Sequence, residues 1–221
     1  MKRTVITILS LVVSFLSFSQ QDLKEGILTS KQTMSSKNEQ MNAQLSRMGN
    51  ITTTTYIKND KSYSEFTSPM SGETKVIIDG TSKELLLLMN TGGGKMYTKE
   101  SLEITDNDKD KLNVKKGDKV KTIMGYECQQ FLAKTTRRGI SVDMELYTTD
   151  KIKGYMQDSA EFGDLIEGFP LYTVMKMNVP QMGGEVTIIN EVTEIKKESV
   201  ADDKFDMTVP DGYKEMPKQQ F

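Results

Sequence analysis

Between Ile140 and Thr149 the chain alternates apolar and polar residues almost one for one. Ile140, Val142, Met144 and Leu146 fall on one side; Ser141, Asp143, Glu145 and Tyr147 fall on the other. Successive side chains of an extended backbone point to opposite faces, so this run specifies a strand with one face in a core and one toward water. Phe169 to Val179 repeats the pattern, with Phe169, Leu171, Met175, Met177 and Val179 on one side, and Val186, Ile188 and Val192 continue it less cleanly.

Turn chemistry separates these runs. Asn59-Asp60 links 52–58 to 61–67, and Asp79-Gly80 closes 75–78. Asn90-Thr91-Gly92-Gly93-Gly94 joins 84–89 to 95–98, Met124-Gly125 divides 119–131, and Gln181-Met182-Gly183-Gly184 separates the last two strands. Asparagine and glycine at such places supply positive φ. Nine or ten strands with short links imply a mainly β fold, an antiparallel meander.

Two short helices are expected beside it. Ser36 with Glu39 forms a capping box ahead of a Met41, Leu45, Met48 stripe that ends at Gly49. Asp158 with Glu161 repeats the cap, followed by Phe162, Leu165 and Ile166 and ended by Gly168. The charge-dense stretch 100–121 reads as a solvated connection within one domain.

The chain opens with Met1-Lys2-Arg3, then an uncharged, mainly apolar stretch from Thr4 to Phe18, then Ser17-Phe18-Ser19 with small residues at the −3 and −1 positions of a cut before Gln20. That is the layout of a secretory signal peptide, 1–19, and the apolar run is shorter than the roughly 20 residues that span a bilayer. The expectation is a periplasmic or secreted protein of a Gram-negative envelope, with one domain over 20–221 and no integral membrane segment. No cysteine lies near the cut, so lipid attachment to the new N-terminus is not expected.

Composition removes several chemistries. There is no histidine and one cysteine, Cys128. Ser-His-Asp and Cys-His nucleophile systems and the commonest zinc ligand set therefore lack their histidine, and no intrachain disulfide can form. Cys128 lies in a strand without its usual activator and reads as an inert thiol. The 29 basic and 31 acidic residues are interspersed with no basic face, which argues against nucleic acid and anionic membrane as partners.

Three motif fragments fail on spacing. Asp106-Asn107-Asp108-Lys109-Asp110 suggests a calcium loop, but an EF-hand needs glycine at the sixth place and glutamate at the twelfth, where Lys111 and Gly117 stand. Gly92-Gly93-Gly94-Lys95 lacks the earlier glycine and the following Ser/Thr of a phosphate loop; Met89 and Met96 stand there, and a hairpin tip is the reading. Met175 and Met177 with Met182 hint at Cu(I), but methionine spaced by two on an apolar strand face fills space. No catalytic residue, metal or cofactor is expected.

Three stretches carry a resemblance: Lys121-Thr122-Ile123-Met124-Gly125-Tyr126-Glu127-Cys128, then Glu145-Leu146-Tyr147-Thr148 with Gly168-Phe169-Pro170-Leu171, and the ending Val200 … Phe205-Asp206-Met207-Thr208-Val209-Pro210-Asp211-Gly212-Tyr213. Together they resemble secreted bacterial proteins of the domain-of-unknown-function family 4412, similar in build to the periplasmic lipoprotein-carrier half-barrels. The resemblance implies a strongly curved antiparallel sheet with one or two short helices on its concave side. In such carriers the concavity holds acyl chains; the family itself implies no catalytic residue.

The expectation for function is a non-catalytic binding module for a lipid, acyl chain or other hydrophobic ligand. Its lining would be Ile140, Val142, Met144, Leu146, Phe169, Leu171, Met175 and Met177. The alternative is a structural or protein-interaction component of the cell envelope with a packed core.

Overall fold

The computed structural model describes residues 22–69, 71–105, 112–137, 139–156, 162–179 and 184–217. The chain runs β1 (Glu25–Ser36), α1 (Glu39–Met48), β2 (Ile51–Lys58), β3 (Lys61–Ser68), β4 (Gly72–Asp79), β5 (Glu84–Thr91), β6 (Gly94–Ser101), β7 (Asn113–Ile123), β8 (Tyr126–Arg137), β9 (Ile140–Thr149), β10 (Phe169–Val179), β11 (Gly184–Lys196) and β12 (Lys214–Glu215). Three-residue and four-residue 3-10 turns cover Gly163–Leu165 and Asp202–Phe205.

All twelve strands form one curved, open sheet in the order β12-β6-β5-β4-β3-β2-β1-β11-β10-β9-β8-β7. Two meanders, β2–β6 and β7–β11, meet at β1, which pairs with β2 on one side and β11 on the other. Among the described strands every pairing is antiparallel except the two-residue parallel β12–β6 pair; outside them Leu23 and Ile152 form an isolated parallel bridge. The β7–β8 turn puts both Met124 (φ 51) and Gly125 (φ 82) in the left-handed region, as a two-residue hairpin requires.

Three differences from the sequence reading have physical causes. The strand β1 has weak alternation (EGILTSKQTMSS), and its pairing with two neighbours makes it central all the same. Much of the charged stretch 100–121 is strand: β7 is a sheet edge, where one side of the backbone faces no described strand and lysines are tolerated. The second helix is absent among the described residues. Its Asp158 and Glu161 lie outside them, and Phe162 to Ile166 form only a 3-10 turn, because Gly163 takes φ +47 and leaves the right-handed helical region.

The first helix forms, with its cap shifted. Asn38, not Ser36, accepts from the Met41 N–H at 3.0 Å, while Ser36 Oγ accepts from the Asn38 N–H at 3.2 Å. Leu45 is the buried residue of the expected stripe, with Met41 and Met48 half-buried. The helix packs along β1, where Ser36 N–H donates to Asn42 Oδ1.

Candidate functional site

Cross-strand register builds one apolar row through the β7–β11 half. Val114 pairs with Ala133, Ala133 with Met144, Met144 with Met175, Met175 with Ile188, and Ile188 with Met34. Directly opposed residues share a face, so these six side chains form a continuous stripe across β7, β8, β9, β10, β11 and β1. Ala133, Met144 and Met175 in its middle are 2–4% exposed, whereas Val114, Ile188 and Met34 are half-buried. The flanking rows add Val142 with Met177 and Phe131 with Leu146.

The 3-10 turn covers the middle of this stripe. Phe162, fully buried, and Ile166 pack with Phe131, Val142, Met144, Leu146 and Met175 in one cluster, with Met177 and Ile188 against it. The turn's own described backbone bond is Leu165 N–H to Phe162 C=O at 3.0 Å. Thr148 Oγ1 donates to Glu167 C=O at 2.6 Å and ties the turn's far end to β9.

The eight residues expected to line one concavity are divided. Val142, Met144, Leu146 and Met175 are in the Phe162 cluster, and Met177 borders it. Phe169 and Leu171 belong to another cluster, with Leu23, Leu28, Tyr147, Ile152 and Val192. Ile140 is half-buried and belongs to neither. Register explains the split. Phe169 opposes Thr149 and Met175 opposes Met144, and the register shifts between Pro170 and Tyr172. Thr149 and Met144 have opposite parity in an unbroken strand, so Phe169 and Met175 face opposite sides despite their even spacing.

Tyr147 is a second correction. The alternation places it toward water, but it is 1% exposed. Its hydroxyl donates to Glu145 Oε1 at 2.8 Å, Gln130 Nε2 donates to the same oxygen at 2.6 Å, and the Lys121 ammonium lies 4.0 Å from the ring centroid. Burial, then the Glu145 carboxylate, pushes the Tyr147 phenol up to about 12; the Tyr147 and Gln130 hydrogen bonds hold Glu145 below the usual carboxylate range.

Cys128 is fully buried, its Sγ–H pointing to Tyr126 C=O, and burial pushes the thiol up to about 11. That is the opposite of nucleophile activation. The triglycine Gly92-Gly93-Gly94 is the β5–β6 hairpin tip. The aspartate cluster 106–110 and Met182 lie outside the described residues. Among the described residues no three His, Cys, Asp or Glu side chains gather to hold a metal ion, and no helix is long and apolar enough to cross a membrane.

A second apolar region, on the β2–β6 half, escapes sequence reasoning. Val200 and Phe205 of the C-terminal segment are buried with Tyr63, Ile77, Leu86 and Leu88, and Met207, Val209 and Tyr213 pack against them. A cleft of about 350 Å³ remains between this segment and the sheet, lined by Tyr63, Lys75, Ile77 and Leu88 on one side and Lys204, Thr208 and Tyr213 on the other. The Val-x4-Phe-x-Met-x-Val spacing of the segment is the available signal, but only long-range contact shows what it covers.

No family model matches this chain, so its likeness to the family 4412 rests on the short motifs alone. No curated protein matches it. Among solved structures, PNGF-II in a C2 crystal form superposes at a TM-score of 0.50 and 17% identity, over 88% of this chain and 31% of its own. The same protein in a P21 form gives 0.49 and 15%, over 87% and 32%. MucB in complex with MucA(peri) gives 0.38 and 10%, over 85% of this chain and 56% of that one. At such identity the first likeness is one of fold, and this chain spans about a third of the length of PNGF-II.

Proposed function

We propose that this chain is a non-catalytic binding module of the bacterial cell envelope, and that its Met144–Met175 stripe takes an acyl chain or other hydrophobic ligand beneath the Phe162 turn. The observation that carries this reading is the uninterrupted apolar row from Val114 to Met34, covered at its centre by the 3-10 turn that holds Phe162 and Ile166. Methionine suits such a lining, because its unbranched, polarizable side chain repacks around irregular guests. A ligand would displace Phe162 and gain apolar burial at roughly 25 cal/mol per Å² before ordering costs. The first nineteen residues have the layout of an export signal, which supports the envelope as the compartment.

Full burial of Phe162 and Leu146 favours a second reading, a protein-interaction component whose core stays filled. Native mass spectrometry separates the two, on protein released gently from the periplasm and again after incubation with a host lipid extract. The binding reading expects a discrete added mass that extracts as a lipid and is lost in Met177→Glu, a half-buried position that tolerates the charge better than Met144 or Met175. An apo mass under both conditions overturns it and leaves the filled-core reading.

A further inference from the structure

We propose that the β2–β6 face beneath the C-terminal segment is a peptide groove, for which residues 200–216 are a resident competitor to an extended acidic–apolar segment of a partner protein. The site shares no residue with the Met144–Met175 stripe, so the two proposals stand or fall separately.

The way the segment is held supports this. It follows β11 through Lys197, Glu198 and Ser199, all exposed. Its regular structure is one four-residue 3-10 turn and the two-residue β12, which lies parallel to β6 with Met216 N–H donating to Tyr97 C=O at 2.8 Å. Elsewhere side chains hold it. Phe205, 6% exposed, and Val200, 4% exposed, are its anchors. At its start Val200 N–H donates to Glu25 Oε1 at 2.7 Å, and Lys58 Nζ donates to Val200 C=O at 3.1 Å and pairs with Asp202 at 2.7 Å. These are the marks of a bound peptide: buried anchors at intervals, pinned ends and little ladder between.

Charge defines the partner. Asp202, Asp203, Asp206 and Asp211 alternate with the apolar anchors. On the sheet side Lys58 pairs with Asp202 at 2.7 Å and with Glu25 at 3.5 Å. Lys75 borders the cleft while paired with Glu73 at 3.0 Å, and Lys95 lies 5.7 Å from the Tyr213 ring centroid. The Lys58–Asp202 pair is therefore the contact that favours an acidic residue at the start of a partner segment. An open cleft of about 350 Å³, with Asp203 and Asp206 among its lining, lies between the segment and the sheet, and a partner segment with larger side chains has space to occupy it.

The test starts from the full chain carrying a specific protease site at 197–199, cut after folding. A fluorescent peptide of residues 198–217 is then added in excess. The expected result is exchange of the cut tail for the labelled peptide with the sheet signal in circular dichroism intact. A Phe205→Ala peptide should bind about 100-fold more weakly or worse. As a second measurement, the uncut chain carrying Phe205→Ala should capture the wild-type peptide, because its own tail has lost its main anchor. Absence of exchange together with absence of capture overturns the proposal. So does loss of the sheet signal when the cut tail is diluted away, which would make the segment part of the core. A dimer of the uncut chain that disappears on cutting would overturn the foreign partner in favour of tail exchange between copies.

Discussion

The ammonium of Lys204 lies 4.2 Å from the centroid of the Tyr56 ring. Tyr63, the direct cross-strand partner of Tyr56, is 5.1 Å from the same ammonium. Both phenols donate to one carboxylate, Tyr56 to Glu65 Oε1 and Tyr63 to Glu65 Oε2. The arrangement recurs in the other half of the sheet. Lys121 lies over Tyr147 and Tyr172, again direct cross-strand partners, and Glu145 accepts from Tyr147. A lysine from a peripheral segment thus clamps that segment to a tyrosine pair in each half. Lys204→Met keeps most of the apolar stem and removes the charge. It should lower stability by about 0.5–2 kcal/mol in urea titration. An unchanged midpoint would show that the ring contact contributes nothing.

Phe162 fills the middle of the methionine stripe. Phe162→Ala should cost about 3–5 kcal/mol, in the range for a large buried aromatic. If the stripe is a ligand site, added lipid should recover part of the lost melting temperature of this variant while leaving Phe205→Ala unrescued. Equal behaviour of the two variants with lipid would remove the stripe from consideration as a site.

The anchor of the C-terminal segment sets a pH window. The Val200 N–H bond, chiefly, holds Glu25 below the usual carboxylate range, and the Lys58 bond does the same for Asp202; Asp202 in turn raises Lys58. A lowered carboxyl contributes stability above its unfolded value and loses it as pH falls through its folded value; a raised lysine loses its contribution as pH rises through its folded value. The segment should therefore loosen below the usual carboxylate range and again above the usual lysine range. At the alkaline end Tyr147 keeps its proton up to about 12, against an ordinary 10.0, so stability falls further as the unfolded chain ionises first. Limited proteolysis at 197–199 against pH reads this directly. A flat cleavage rate from mildly acidic to strongly acidic pH would contradict it.

Cys128 should be silent in the folded protein. It is fully buried, and its thiol is pushed up to about 11. A thiol-reactive chromophore at neutral pH should report no reaction until denaturant is added, then one equivalent. Rapid native labelling would mean that the β7–β8 hairpin opens on the labelling timescale.

Gly168 holds the turn of the Phe162 segment into β10. Its φ is +83, and an added Cβ would lie 2.5 Å from Thr149 C=O. Gly168→Ala should cost more than 1 kcal/mol, since both the backbone region and the space exclude it. A melting temperature equal to that of the parent chain would refute this.

The strands were legible because their information is local. The alternation in 140–149, the Asn59 and Met124-Gly125 turns and the Leu45 face of α1 depend on residues a few positions apart. What only the tertiary structure decided depends on distant partners. The central place of β1 comes from pairing with β2 and β11. Tyr147 is buried because Leu23, Ile152, Phe169 and Leu171 cluster with it from elsewhere in the chain, and Lys121 and Gln130 reach it from β7 and β8. Phe169 and Met175 part company at a bulge that their spacing does not announce. The cover over each apolar face is likewise non-local: Phe162 over the methionine stripe, and Val200 and Phe205 over Tyr63 and Leu88. Periodicity tells a chain which side of a strand is apolar. Long-range contact decides which segment buries that side.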